Sequence, residues 1–311
     1  MNQASAPAKI ILFGEHAVVY GQPAIAVPVS ALRASAQVTP AAAGSGLRIE
    51  AADVDAVLPV ELDSDAIDNA LAVTARMVLR QLDAKPPDAI IRLTSTIPMA
   101  SGLGSGAAVS AAVARAVCAA VDQPVADAQL NAIVYEIEKM YHGTPSGIDN
   151  TVIVYEQPVY FVRGKPIKTL HIGQPLTFII GDTGQSALTK ITVGDVRRLY
   201  EQDPERIQPV LDAIGTIVRQ ARQAIAGGDT AALGPLMQAN HAHLRTLTVS
   251  SPQLDQLVQA ALDAGAVGAK LSGGGRGGNM IALVADPSQA QAVADALRQA
   301  GAVRTIITHV G

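Results

Sequence analysis

The sequence predicts an α+β chain built in two parts, and three observations carry that expectation. The opening is β-rich. A glycine run, PMASGLGSGAAVS from Pro98 to Ser110, ends a strand and opens a long apolar helix. Beyond about Gly164 the order changes to one strand, several amphipathic helices and three further strands, with a helix between the last two. At 311 residues there is material for two cores, and the division is placed to give parts 1–163 and 164–311. No long Ser/Pro-rich linker and no internal repeat interrupts the chain.

Taken in order, KIILFGEHAVVYGQPAIAVPV reads as a strand, a polar break, and a pair of short apolar runs turned at Gly21-Gln22-Pro23. Alternation continues in LRASAQV and LRIEA, with PAAAGSG as a surface turn. Ser64 is placed to cap a helix through DAIDNALAVTARMVLRQL, whose apolar positions recur at helical spacing. AIIRLTST is the strand entering the glycine run. AAVSAAVARAVCAAV and QLNAIVYEIEKMYHG are consecutive helices, followed by the loop GTPSGIDN and strand-like TVIVY and VYFV. LTFIIGD is then a strand, and amphipathic helices run from about Thr189 to Ala264. AVGAKLS, NMIALVA and VRTIITHV are strands, and Ser288 to Ala300 is a helix.

Composition narrows the function classes. Hydrophobic residues make up 49% of the chain, supplied mainly by Ala, Val, Ile and Leu, while aromatics are 3% and Trp is absent. With a net charge of −4, neither stacking platforms nor a basic footprint for nucleic acid is present. The single Cys118 falls in the apolar helix after the glycine run and reads as a buried, unreactive thiol, with no disulfide framework. MNQASAPAK has no basic region followed by an apolar one, and no run reaches membrane-spanning length uninterrupted. The expectation is a soluble cytoplasmic protein acting on small molecules, without a nucleic-acid or membrane partner.

The glycine run reads as a phosphate cradle. Gly102, Gly104 and Gly106 permit positive φ and close approach of a phosphate, and Ser105 onward offers helix-start N–H groups with a favourable dipole. Gly102, Gly104 and Ala107 also fit the dinucleotide fingerprint, with Asp122 lying 20 residues beyond Gly102. That reading fails because Asp122 ends a helix and leads into another, where a nucleotide-binding fold would need the end of a second parallel strand. A second match, Gly273, Gly275 and Gly278 in KLSGGGRGGNMIALV, lies between strand-like runs and reads as a hairpin.

Individual polar residues leave alternatives open. Asp149 in its Gly-rich turn either orients the proton of an attacking hydroxyl or makes an Asx-turn. Lys9 alone reads as a solvated lysine before a strand. Glu138 and His142 are four apart and share a helix face, whereas Glu136 points elsewhere. One carboxylate aimed at a phosphate loop suffices for Mg²⁺. His142 lacks a second His or Cys at zinc spacing and reads as a packing or loop-orienting residue.

Three separated segments, PAKIILFGEHAVVYGQPAIAVPV, PMASGLGSGAAVS with EIEKMYHGTPSGIDN, and KLSGGGRGGNMIAL, together resemble the GHMP kinase superfamily and, within it, the mevalonate kinase family. The resemblance spans most of the chain. It implies an N-terminal domain like ribosomal protein S5 domain 2 and a ferredoxin-like C-terminal α/β sandwich, with ATP across the domain junction. It also implies Mg²⁺, a homodimer, and phosphorylation of the 5-hydroxyl of (R)-mevalonate in isoprenoid precursor synthesis. Asp149 falls on the family's catalytic aspartate and Lys9 on its partner lysine, an ammonium that would keep the carboxylate ionised. Ser101, Gly102, Leu103, Gly104, Ser105, Gly106 and Ala107 form the ATP phosphate loop. Glu138 matches the magnesium-binding glutamate, with Ser105 as a second metal candidate. Glu15 and His16 match residues of the mevalonate pocket, with a plain turn role as the alternative. Thr183 and Thr189 match a substrate-proximal segment more loosely. Gly273, Gly274, Gly275 and Arg276 form the third glycine motif.

The chain departs from the family pattern twice. Gly106 stands where relatives commonly carry a hydroxyl near the metal. Arg276 stands where many have glycine, and would either pair with a triphosphate or face solvent. Competing readings are a mevalonate 3-kinase, a phosphomevalonate-processing enzyme, or a silent nucleotide-binding module. Retention of Lys9 and Asp149 argues against the first, and retention of these two with Glu138 against the last.

Overall fold

The strands of the first sheet form from continuous apolar runs in β1 and the start of β2 and from apolar residues alternating with polar ones beyond them. A computed structural model describes residues 2–51, 56–62, 69–99, 101–143, 145–186 and 189–311, with backbone alone for Asn2, Tyr141 and His142. β1 (Asn2–Phe13) pairs with β2 (Ala24–Pro40), which is antiparallel to β5 (Ala89–Ser95) with Ala34 opposite Ser95. β5 runs parallel to β3 (Leu47–Ala51), and β4 (Ala56–Pro59) closes that edge antiparallel to β3. Along β5, Ala89, Ile91 and Leu93 are buried while Arg92 is exposed, the alternation of a half-buried strand.

Chain contacts divide the molecule into two compact units. One comprises residues up to Ala8, Leu32–Pro98 and Gly104–Glu156, and the other Lys9–Ala31, Met99–Leu103 and Gln157–Gly311. This division is discontinuous, whereas the reading from sequence cuts the chain once, after residue 163. In the first unit, α1 (Ala70–Gln81), α2 (Ser105–Val121), α3 (Asp127–His142) and α4 (Ile148–Tyr155) pack on one another, and α2 also packs on β5. α2 can be approached closely because Ala107, Ala108, Ala111, Ala112, Ala114 and Ala116 are all buried.

In the second unit the start of β2 pairs with β6 (Val159–Phe161), which pairs with β7 (Lys168–Thr169). A second, fully antiparallel sheet has the order β11-β8-β10-β9, formed by β8 (Leu176–Asp182), β9 (Gly268–Ser272), β10 (Asn279–Val284) and β11 (Arg304–Val310). Helices α5 (Thr189–Gln202), α6 (Pro204–Gly227), α7 (Thr230–Thr246) and α8 (Pro252–Asp263) lie between β8 and β9 in sequence, and α9 (Ala290–Gln299) between β10 and β11. This is the split βαββαβ arrangement, so the molecule is the two-domain α+β fold expected. β8, β9 and β10 are buried at every position; β8 and β10 are interior strands, and β9, at the sheet edge, is covered by α7 and α8. α7 lies on β9 backbone to backbone: a Cβ on Gly234 would stand 2.1 Å from the Val267 carbonyl oxygen.

Several local expectations are corrected. TVIVY is not a strand but belongs to α4, because tertiary burial of Val152, Ile153 and Val154 overrides β-branched propensity and the Thr151 hydroxyl donates to the Gly147 carbonyl at 2.7 Å. AVVY is a 3-10 turn, Ala17–Tyr20, rather than an apolar strand-like run. Cys118 is only partly buried, although burial does push its thiol pKa up. The helix expected after Ser64 is described from Ala70, capped by Asn69, whose side chain accepts from Leu71 N–H; Ser64 lies outside the described residues. Asp122 ends α2, and the Gly273–Gly278 segment joins antiparallel β9 and β10, which removes both dinucleotide readings. Among the described residues, no helix is long and apolar enough to cross a membrane.

Candidate active site

In the first unit, the mutual packing of α2, α3 and α4 gathers Gly104–Ala107, Glu138 and Asp149 onto three neighbouring helices. Gly104, at φ 76°, is the N-cap of α2 and supplies no side-chain acceptor to the helix-start N–H groups. Gly106 does not need positive φ as expected, since it is the second residue of α2 and helical. Asp149 lies in the first turn of α4, half-buried, rather than in an open turn. Its neighbour Asn150 anchors that turn to α3 by donating to Asn131 Oδ1 at 2.7 Å.

Glu138 is 3% exposed, whereas Glu136 faces solvent and pairs with Lys139 at 2.7 Å. The two carboxylates thus diverge as helical spacing requires. Among the described residues no group of three or more His, Cys, Asp or Glu could hold a metal. A single buried carboxylate such as that of Glu138 is the kind of ligand that suits a hard cation keeping waters and nucleotide oxygens, as Mg²⁺ does. The His142 side chain lies outside the described residues.

In the second unit, the first part of the phosphate loop is stitched to strands. Lys9 N–H donates to the Leu103 carbonyl at 3.0 Å, and the Asn279 amide donates to the Ser101 carbonyl at 2.6 Å. Lys9 itself is 3% exposed, not a solvated lysine. The third glycine motif lies alongside, with a Cβ on Gly273 standing 3.7 Å from the Gly102 carbonyl oxygen. Gly275 is at φ 78°, and a Cβ there would stand 2.0 Å from the Val249 carbonyl oxygen, so only glycine fits. A Cβ on Gly274 would stand 2.7 Å from Thr189 Oγ1, which places Thr189 at this loop. The Thr183 hydroxyl donates to the Gly278 carbonyl at 2.9 Å and holds the turn after β8. Arg276, exposed and at φ 56°, donates from Nε to the Thr248 carbonyl at 2.9 Å and pairs with Asp195 of α5. Its guanidinium is therefore engaged by the chain itself.

Glu15 and His16 form the sharpest feature. Ala17 N–H donates to the Glu15 carbonyl at 2.6 Å across His16, whose φ of 60° and ψ of −48° make a γ-turn of the rare positive-φ kind. Both side chains are buried. Glu15 Oε1 is paired with Lys270 Nζ, and both side chains have no solvent exposure. Burial pushes the Glu15 pKa up, opposed chiefly by the Lys270 charge. His16 Nε2 lies 3.0 Å from the Gly274 carbonyl oxygen. That oxygen only accepts, so Nε2 carries the proton. Burial lowers the His16 pKa to about 4, so the ring is neutral and Nδ1 is a bare acceptor. His16 Nδ1 and Glu15 Oε2 are buried with no hydrogen-bond partner. Two neighbouring acceptors left like this are open to donors from water or from a ligand.

Sequence reading missed Lys270, Asn279, Asn150 and His241. Lys270 carried a signal, a charge inside the apolar strand AVGAKLS; Asn150 sat in the quoted GIDN string but was given no role. His241, whose Nδ1 accepts from Leu271 N–H at 3.3 Å, carried none.

A family profile described as the GHMP kinases N terminal domain matches residues 69–157, and one described as GHMP kinases C terminal matches 221–303. A mevalonate kinase of Pyrococcus abyssi is 38% identical over 96% of this chain and 92% of its own length. One from Pyrococcus horikoshii is 37% identical over 99% and 95%. The crystal structure of L. major mevalonate kinase in complex with R-mevalonate superposes with a TM-score of 0.84 at 30% identity, covering 100% of this chain and 96% of that one. The two family profiles and the full-length relatives thus define a small-molecule kinase of the GHMP class. Within it, the chain belongs to the mevalonate kinase family.

Proposed function

We propose that this chain transfers the γ-phosphoryl group of ATP to the 5-hydroxyl of (R)-mevalonate, giving 5-phosphomevalonate for isoprenoid precursor synthesis. The observation that carries the substrate is the pair of unpartnered buried acceptors, His16 Nδ1 and Glu15 Oε2. A hydroxy acid with two hydroxyl groups supplies the donors they lack, and an alcohol that leaves one unpaired forfeits about 1–3 kcal/mol. The family membership and the mevalonate-bound relative point to the same substrate.

Transfer is a direct in-line displacement. Asp149 orients the 5-hydroxyl and takes its proton as the oxygen bonds to the γ-phosphorus and the bond to the β-phosphate oxygen breaks, releasing ADP. The Lys9 ammonium offsets charge on the transferring group, and main-chain N–H groups of residues 102 to 107 hold the phosphates. Glu138, with Ser105, would hold Mg²⁺, which when bound neutralises phosphate charge. Residues 1–163 supply the loop, Asp149 and Glu138, and residues 164–311 the third glycine motif, Thr183 and Thr189. The reading also carries a cytoplasmic homodimer, whose stoichiometry sedimentation equilibrium measures.

The deciding experiment incubates purified protein with ATP, Mg²⁺ and, separately, mevalonate, phosphomevalonate, galactose and homoserine, with ³¹P NMR of the products. A phosphomonoester at the 5-position of mevalonate alone supports the proposal. A diphosphate from phosphomevalonate, or a 3-phosphate, overturns it.

A further inference from the structure

Lys270 is the central residue of β9 and has no solvent exposure, an unusual place for an ammonium. Its Nζ pairs with Glu15 Oε1 and donates to the Leu271 carbonyl at 2.6 Å. Such a pair is a weak source of stability, because apolar residues of similar volume often do as well. Its geometric effect is specific: one oxygen of Glu15 is anchored, while Oε2 remains buried without a partner.

Lys270 is itself held rigidly. It lies opposite Ile281 in the β9–β10 ladder. On the other side of β9, α7 approaches through Gly234 and Gly268, and His241 Nδ1 accepts from Leu271 N–H. This leaves Nε2–H of His241 to donate to Asp255 Oδ1 at 3.0 Å, an oxygen that also accepts from the Ser250 hydroxyl at 2.5 Å. The strand residue next to Lys270 is thereby tied to α7 and, through His241, to α8.

We propose that Lys270 is a positioning residue for the substrate, which grips one oxygen of Glu15 and keeps the carboxylate charged so that the other oxygen accepts a substrate hydroxyl. This rests on the reading of Glu15 as a substrate contact. The charged groups acting on Glu15 are Lys270 from β9 and, more weakly, Lys9 from β1; those facing Lys270 and its strand are Glu15 and, beyond the titratable His241 of α7, Arg245 of α7 and Asp255 of α8. Without Lys270, burial of Glu15 would be opposed chiefly by Lys9, and the carboxylate would take a proton at higher pH.

The test measures kcat and KM for mevalonate and for ATP from about pH 5 to 9 in the wild type, Glu15→Gln, Lys270→Gln and Lys270→Arg, with a thermal melt of each. Glu15→Gln should raise the mevalonate KM about tenfold or more and flatten the acid limb of kcat/KM. Lys270→Gln should raise the mevalonate KM and move the acid limb up by about one pH unit or more, with the ATP KM within about twofold. Lys270→Arg should return the limb to its wild-type position. If Glu15→Gln behaves as stated while folded Lys270→Gln keeps the wild-type KM and limb, Lys270 is packing alone and the proposal falls. If Glu15→Gln changes neither, the substrate-contact reading of Glu15 falls and takes the proposal with it. Should Lys270→Gln not fold, Lys270→Arg decides. Its bulkier head keeps the charge but displaces Glu15, so a raised mevalonate KM at unchanged ATP KM supports positioning, and wild-type values for both overturn it.

Discussion

His16 combines a strained backbone with an unsatisfied ring nitrogen, and the two have separable consequences. A non-glycine residue at φ 60° and ψ −48° costs about 1–3 kcal/mol, held by the packing around it. His16→Gly should therefore be more stable than His16→Ala by about 1 kcal/mol in urea melts, since only glycine relieves the turn. Both variants should raise the mevalonate KM about tenfold, roughly 1.4 kcal/mol, with ATP parameters moving much less. Equal shifts for both substrates would make His16 a folding residue. The depressed His16 pKa, about 4 against an ordinary 6.5, adds a pH signature. Between those values the unfolded chain binds a proton that the folded site refuses, so stability rises with pH there and is lost as pH falls from 6.5 toward 4. From pH 7 to 5 the wild type should lose about 2 kcal/mol more than His16→Asn, a residue that tolerates positive φ and does not titrate. Comparing the two cancels the contributions of His241, also lowered by burial, and of Glu15, raised by it. Parallel stability curves would mean that the folded site binds that proton as readily as the unfolded chain does.

Among the elements, the phosphate loop and the third glycine loop differ in what glycine does for them. Gly106 is helical, so the backbone accepts a side chain there. Gly106→Ser should fold normally, gain about 0.5 kcal/mol from helix propensity, and work at equal or lower Mg²⁺ concentration, as a magnesium titration of the rate would read. Gly275→Ala has no such freedom, with φ at 78° and the Val249 carbonyl in the way, and should lose about 2 kcal/mol or more in a denaturant melt. The glycine run was legible because a strand ending in small residues before an apolar helix has few other meanings. TVIVY was not, because its branched residues satisfy either element and only contacts with α2 and α3 decide. Arg276 was left open for a related reason: Asp195, its partner, lies 81 residues away in the chain.

For the molecule as a whole, the strands of the split βαββαβ sheet were readable, since each announces itself in a short apolar run, but their order was not: of the sequential strands only β9 and β10 pair. Resemblance singled out Glu15 and His16 but not Lys270: nothing local connects Glu15 with Lys270, 255 residues apart, and a buried ion pair has no sequence period. The assignment of Asp149 and Lys9 to one chemical step is testable without knowing where substrate lies. Asp149→Asn keeps shape and removes the group that takes the proton, so turnover should fall by about 10²–10⁴-fold while ATP affinity stays within a few-fold. Lys9→Met should depress kcat as well, because charge on the transferring group then lacks an ammonium. Groups that serve one transition state do not contribute independently, so the double variant should be little worse than the poorer single one. Single-turnover rates with nucleotide affinities for all four forms complete the cycle. Losses that multiply would separate Lys9 from the step that Asp149 serves, and an equal loss of ATP affinity in Asp149→Asn would move that residue from transfer to nucleotide binding.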